Sequence, residues 1–256
     1  MKESCQKNHI SLPEEFSERM KIRLGQEWEA FLEACSLPPK RGLRLNLQKA
    51  EANPDFPLEK WKENWKLEEL KSESLKLENS KNEYGLALAR EYLCDEEYLQ
   101  SIGVQIGHDA YHEAGLYYIQ DPSAMSVVPY MEIRPFDRCL DLCASPGGKS
   151  LQMADRLKTE EGGILLSNEF IMERAKNLSK NVERMGYSHV AVSSCSAEEL
   201  EAQFPAFFSR ILVDAPCSGE GMFRKNPEAI ADWSLEKVSQ CAGLQRDILG
   251  HALGML

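Results

Sequence analysis

The stretch Cys139-Leu-Asp-Leu-Cys-Ala-Ser-Pro-Gly-Gly-Lys149 decides how this chain is read. An apolar run interrupted by one acid, Asp141, leads into a turn through Cys143, Ala144, Ser145, Pro146, Gly147 and Gly148, and helical sequence follows from Lys149. Two adjacent glycines carry no Cβ and accept φ > 0, so the backbone there can come close to a ligand. The carboxyl end of a strand in an open α/β sheet is also where such sheets hold ligands.

Working outward, the sequence from Arg138 alternates short apolar runs with helical stretches, the pattern of an α/β fold with an open, mostly parallel sheet. Strands are expected at Cys139–Leu142, Gly163–Ser167, His189–Ser193 and Ile211–Val213, with helices at Lys149–Leu157, Ile171–Met185 and Ala197–Gln203. The tail Ser234–Leu256 has helical spacing in Val238, Cys241, Leu244, Ile248, Leu249 and Leu253. A helix after a fourth strand normally leads to a fifth, so the domain is expected to be incomplete at its C-terminus, with strand four as an apolar edge prone to self-association.

Upstream, Phe16, Met20, Ile22, Leu24, Trp28, Phe31 and Leu32 lie among charges, as in amphipathic helices, and Pro38 and Pro39 end that unit. Gly42–Leu47 alternates like a short strand, and residues 51–83 read as short helices and loops. Met1–Ile10 is polar, without a signal core, and no apolar run approaches the roughly 20 residues of a membrane span. The reading is a cytoplasmic protein with no membrane partner.

The chain has 256 residues, room for one large domain or for a small domain joined to a medium one. A formal charge of -11 argues against holding nucleic acid by bulk electrostatics alone. Lys40, Arg41, Arg44 and Lys49 form the clearest basic stretch, a pattern that is more often a solvated face than a binding surface. The eight cysteines are irregularly spaced, without paired ligand spacing to His. They read as free thiols, mostly small buried hydrophobes, with no metal site. Cys217 is the exception.

Two further segments reach the same rim of the sheet. Gly163-Ile-Leu-Leu-Ser-Asn-Glu169 is a strand ending in an acid, about 20 residues past the glycines, where a carboxylate receives the hydroxyls of a nucleoside ribose. The first turn lacks the three-glycine dinucleotide fingerprint, so an adenosine ligand without a pyrophosphate fits, and S-adenosyl-L-methionine is one. A P-loop is the rival, since Gly148-Lys149-Ser150 would end it, but its first glycine would fall at Cys143.

Asp214-Ala-Pro-Cys-Ser-Gly-Glu-Gly221 follows strand four. Carbon 5 of cytosine becomes nucleophilic when a thiolate adds at carbon 6, and a carboxyl near ring nitrogen 3 stabilises the developing charge. Cys217 and Asp214 supply both chemical types, whereas methylation of an exocyclic amine would favour an aromatic residue at 217.

With these residues in hand, the chain resembles the Nop/Sun-type family of RNA cytosine-5 methyltransferases, in the bacterial branch that modifies ribosomal RNA. Three segments carry the resemblance: Tyr118-Ile-Gln-Asp-Pro-Ser-Ala-Met125, Asp141 to Lys149, and Asp214 to Gly221. It implies a Rossmann-like methyltransferase domain over residues 111–256 behind a small α/β, RNA-binding-like domain over residues 1–110. It further implies that residues 143–149 contact the methionine part of S-adenosyl-L-methionine, that Glu169 holds the ribose, and that Asp214 lies near the target base. Gln120, Asp121 and Ser123 would help shape the pocket.

The family attacks the base with a cysteine of a later Thr-Cys motif, and the cysteine matching Cys217 assists product release. This chain ends before that motif, which leaves a non-catalytic cofactor- or RNA-binding fragment as the second reading. Many members place an Asp against the adenine where this chain has Ser196. The implied substrate is 16S ribosomal RNA, with transfer RNA as the other candidate.

Overall fold

The computed structural model describes residues 11–37, 41–53, 57–70 and 91–256. Met1–Ile10, Cys5, Pro38, Pro39, Lys40 and much of the 51–83 segment therefore lie outside the described residues.

Among the described residues, eight strands build two sheets. β1 (Arg41–Leu45), β2 (Glu68–Glu69), β3 (Glu91–Cys94) and β4 (Tyr117–Gln120) form an antiparallel sheet in the order β2-β3-β1-β4. β5 (Arg138–Asp141), β6 (Ile164–Asn168), β7 (Val190–Ser193) and β8 (Arg210–Leu212) form a parallel sheet in the order β7-β6-β5-β8. The four expected strands of the second sheet are all present, and its helices Gly148–Ala154, Met172–Met185 and Ala197–Gln203 start and end within a turn of expectation.

The parallel sheet is covered on both faces, which explains its nearly continuous apolar strands. Cys139 and Leu165 face a core with Leu151, Met153, Leu178, Val182 and Met185, while Leu140 and Leu166 face Leu200, Phe208, Ala252 and Met255. Neighbouring residues of β5 and β6 thus serve opposite layers, as the strand period of two requires. Because β6 and β7 lie on one side of β5 and β8 on the other, the strand order reverses at β5, the point where open α/β sheets leave a crevice.

Packing divides the chain into two compact units, and the division does not follow the expected boundary at residue 110. One unit combines the described part of Met1–Pro39 with Pro216–Asp247, and the other comprises Lys40–Ala215 with Ile248–Leu256. The antiparallel sheet itself runs past residue 110, since β4 is Tyr117–Gln120. In the first unit, the helices Glu14–Leu24 and Trp28–Ser36 bring Phe16 to Phe223 and Trp233, with edge-on rings at 5.0 and 5.7 Å. The second unit contains both sheets.

The basic stretch is not a solvated face. Arg44 is fully buried, and the Lys49 ammonium donates to the carbonyls of Ala114 and Arg184, each at 2.7 Å. Asn46 likewise donates to Gly115 O and Met185 O at 3.1 and 2.8 Å. These side chains satisfy the last carbonyls of the Met172–Met185 helix, which no intrahelical donor can reach. Among the described basic residues of this stretch only Arg41 is exposed, paired with Glu96 at 2.9 Å.

Candidate active site

Strand register places the site residues. Asp141 sits opposite Ser167 on β6 and Leu212 on β8, so Cys143, Glu169 and Asp214, each two residues further on, lie along one rim. The turn between is pinned on both sides, with Leu142 N donating to Leu212 O at 3.0 Å and Ala144 N to Asn168 O at 2.8 Å. The Ser145–Pro146 peptide is cis. Gly147 has φ +114°, which L side chains rarely adopt, and a Cβ on Gly148 would come within 3.2 Å of Gln120. Backbone conformation thus requires glycine at 147, while a side chain at 148 would have to push Gln120 back by a few tenths of an ångström.

Three carboxylates converge on this turn. Asp141 is 1% exposed; its Oδ2 accepts from Ser150 Oγ at 2.6 Å, while Oδ1 is buried with no hydrogen-bond partner among the described residues. Burial pushes the Asp141 carboxyl up to about 6, and the negative charge of Asp214 adds to that, while Ser150, Lys149 and the nearby Cys143 amide pull the other way. The amide lies close enough to act on the charge without making a well-formed bond to Oδ1. Burial, then the charges of Asp141, Glu169 and Asp214, push the Cys143 thiol up to about 11. A thiol so placed stays protonated and is no nucleophile.

Glu169 is 4% exposed; its Oε1 accepts from Ile171 N at 3.0 Å and its Oε2 pairs with Arg174 at 3.4 Å. Arg174 also donates to Ser145 O at 3.3 Å, and Ser145 Oγ donates to Arg174 O at 3.2 Å. The ribose-type acid and the glycine turn are thus tied through one arginine. Lys149 pairs with Asp214 at 2.6 Å, which takes the lysine away from the phosphate role it would have in a P-loop.

Asn168 was missed by sequence reasoning. Its Nδ2 donates to Leu142 O and Cys195 O at 3.3 and 3.0 Å, and its Oδ1 accepts from Ser193 Oγ and Cys195 N at 2.9 and 3.0 Å. One buried amide with all these bonds stitches the carboxyl ends of β5, β6 and β7 together. Its place directly before Glu169 was the available signal. Arg174 and Asn181, which donates to Pro146 O at 2.9 Å, were missed as well, because nothing in a helical sequence announces which turn of the helix meets a loop.

Ser196 stands at the end of the loop after β7, where it caps the Ala197–Gln203 helix. Its Oγ accepts from Glu199 N at 3.1 Å, and Glu199 Oε2 accepts from Ser196 N at 2.8 Å, a reciprocal capping box. Its hydroxyl oxygen is therefore already engaged as an acceptor. Asp121 caps the Pro122–Met125 helix by accepting from Ser123 N at 2.8 Å and Ser123 Oγ at 2.5 Å. Gln120 is buried at the end of β4, beneath the turn.

Cys217 belongs to the other compact unit, which begins again at Pro216. Within that unit Cys217 is exposed, its neighbour Ser218 is buried, Gly219 has φ +85°, and Gln245 donates to Pro216 O at 2.9 Å. The seven described cysteines are free thiols; only Cys139 is fully buried, and burial pushes it up to about 12. No cluster of three or more His, Cys, Asp or Glu that could hold a metal occurs among the described residues, and none of their helices is long and apolar enough to cross a membrane.

Residues 128–256 match the family described as 16S rRNA methyltransferase RsmB/F. Ribosomal RNA small subunit methyltransferase F of Enterobacter sp. (strain 638) is 33% identical over 253 residues, covering 97% of this chain and 48% of that protein. Its counterpart in Vibrio cholerae is 33% identical over 252 residues, covering 97% of this chain and 49% of that protein. The chain belongs to the 16S rRNA methyltransferase RsmB/F family. It spans about half the length of the curated relatives it matches.

Two solved structures share the fold. A methyltransferase homologue from Pyrococcus horikoshii has a TM-score of 0.70 at 21% identity, over 96% of this chain and 70% of that one. NSun6 from the same organism, solved with SFG, has a TM-score of 0.70 at 18% identity, over 96% of this chain and 81% of that one. The Rossmann-like methyltransferase architecture expected from the sequence is therefore that of the RsmB/F chain as well.

Proposed function

We propose that this RsmB/F chain carries the S-adenosyl-L-methionine site of a methyltransferase acting on carbon 5 of a cytosine in 16S ribosomal RNA. The observation that carries the reading is the unsatisfied Asp141 Oδ1, buried at the glycine turn among three carboxylates. A buried acceptor without a donor is costly unless a ligand supplies one. An acid-lined rim suits a ligand with an ammonium and a sulfonium and disfavours a nucleotide polyphosphate.

In this reading Asp141 receives the ammonium of the methionine part, residues 143–149 line that part with backbone atoms, and Glu169, held by Arg174, receives the ribose hydroxyls. The cofactor supplies an electrophilic methyl group. Asp214 stabilises charge at ring nitrogen 3 of the cytosine, and Lys149, paired with it at 2.6 Å, aims that carboxylate. Cys217 assists product release, with the attacking thiolate drawn from the Thr-Cys motif of the family pattern. Ser196 contributes to the cofactor pocket by its position rather than by its hydroxyl. Residues 1–110 contribute to RNA binding, and the protein works in the cytoplasm, where its substrate is made.

Two measurements test this. Calorimetry on the chain should show S-adenosylhomocysteine binding and no ATP binding; ATP preference would favour the P-loop reading. The protein at the length of its relatives, given small ribosomal subunits and labelled cofactor, should leave 5-methylcytosine in 16S RNA. A label in transfer RNA alone, or none at all, would end the ribosomal assignment.

A further inference from the structure

The buried Arg44 on β1 has no place in the reading above, yet it reaches both ends of the helix that follows the glycine turn. Nη2 donates to the carbonyl of Gly148, the first helical residue, at 3.4 Å. Nη1 pairs with Asp155, the C-cap of the same helix. Nε donates to Gln120 Oε1 at 3.4 Å, and the Gln120 side chain lies against Gly148, where a Cβ would meet its Cδ at 3.2 Å. Tyr118, two residues earlier on β4, donates its hydroxyl to Pro146 O at 3.4 Å. Tyr187 donates to the second oxygen of Asp155. The underside of the turn therefore rests on β1 and β4 of the antiparallel sheet.

We propose that Arg44 is a positioning residue for cofactor binding, a fork through which the antiparallel sheet sets the place of residues 145–149. The proposal rests on the reading that this turn holds S-adenosyl-L-methionine. A buried ion pair is weak evidence for stability, since a pair of well-packed neutral side chains commonly serves as well. What a guanidinium adds is direction: its donors lie in a rigid plane and can hold a carboxylate and a carbonyl in one fixed relation, which a lysine ammonium on a flexible stem cannot. A binding loop needs its supports held to within about half an ångström. Arg44 meets the turn only from beneath, at the Gly148 carbonyl and the Gln120 side chain, so it acts through the helix and the turn.

Two variants separate positioning from stability. Arg44→Met combined with Asp155→Asn removes both buried charges while leaving an acceptor for Tyr187, and Arg44→Lys keeps the charge but loses the fork. Each is compared with the unaltered chain by chemical unfolding, by calorimetry with S-adenosylhomocysteine and by amide exchange at Gly147–Ser150. The expected result is an unfolding midpoint near that of the parent for the double variant, with affinity weakened about tenfold and faster exchange confined to the turn. Arg44→Lys should weaken affinity likewise and not rescue. Parent-like affinity and exchange in a folded double variant, or full rescue by lysine, would overturn the proposal. If the unaltered chain bound no S-adenosylhomocysteine, the cofactor reading itself would fall, whatever the variants did.

Discussion

The short helix Gly148–Ala154 meets two carboxylates withdrawn from water, Asp155 at its C-cap and Asp141 at the end of β5, bonded to Ser150 of its first turn, and the two are treated in opposite ways. Asp155, with its side chain 9% exposed, is surrounded by donors: the Arg44 guanidinium on one oxygen and the Tyr187 hydroxyl on the other. Asp141 has one oxygen satisfied by Ser150 and the other left without a partner among the described residues. Burial raises the pKa of both. A fully answered buried charge marks architecture, while a half-answered one marks a place where the protein leaves a bond for something else to make.

The largest effect should come from removing the satisfied carboxylate. Asp155→Ala removes the ion-pair partner of the buried Arg44, and a loss of about 3–5 kcal/mol in urea unfolding is expected. The unsatisfied carboxylate should behave in the reverse manner. Asp141→Asn is expected to change stability by no more than about 1 kcal/mol, yet to weaken S-adenosylhomocysteine binding by about 2 kcal/mol or more, roughly thirtyfold. If both substitutions proved equally destabilising and neither affected binding, the contrast would vanish.

A pH profile sharpens the same comparison. In the ligand-free chain the Asp141 carboxyl titrates near 6, above its ordinary 3.8, so the folded state holds this proton more tightly than the unfolded one. Its contribution to stability is therefore full below the ordinary value and is lost as pH rises through about 6. The ammonium of the ligand favours the ionised form, so S-adenosylhomocysteine affinity should fall as pH drops below that point, by up to about tenfold per unit. Calorimetry between pH 5 and 8 reads it, and Asp141→Asn should flatten the curve.

The smallest effect concerns Ser196. Its hydroxyl is engaged in the capping box, so Ser196→Ala should cost about 1 kcal/mol of stability and leave affinity unchanged. A loss of affinity at constant stability would show that the hydroxyl turns to the ligand after all.

The parallel half of the molecule was legible because its signals are local. Four short apolar runs, the glycine pair and the acids at Glu169 and Asp214 each announce themselves within a few residues, and the strand period carries them to one rim. The antiparallel half was legible only at β1, expected at Gly42–Leu47 and found at Arg41–Leu45. β3 and β4 carry no strand expectation in the sequence, where the Tyr118–Met125 segment reads as a motif instead. In the sequence Arg44 and Lys49 look like surface residues, because a charged residue gives no sign of its partner 111 or 135 positions away.

By itself, the sequence determined the α/β pattern, the strand that ends in Asp141, the glycine turn and the acids that follow β6 and β8. Those features depend on backbone conformation and strand periodicity, which act between neighbours along the chain. Only the tertiary structure decided which buried charges are satisfied, which helix end is gripped by Arg44, and that Asn168 joins three strand ends. Desolvation and hydrogen-bond geometry depend on what the fold brings within a few ångströms, and residues far apart in sequence supply it.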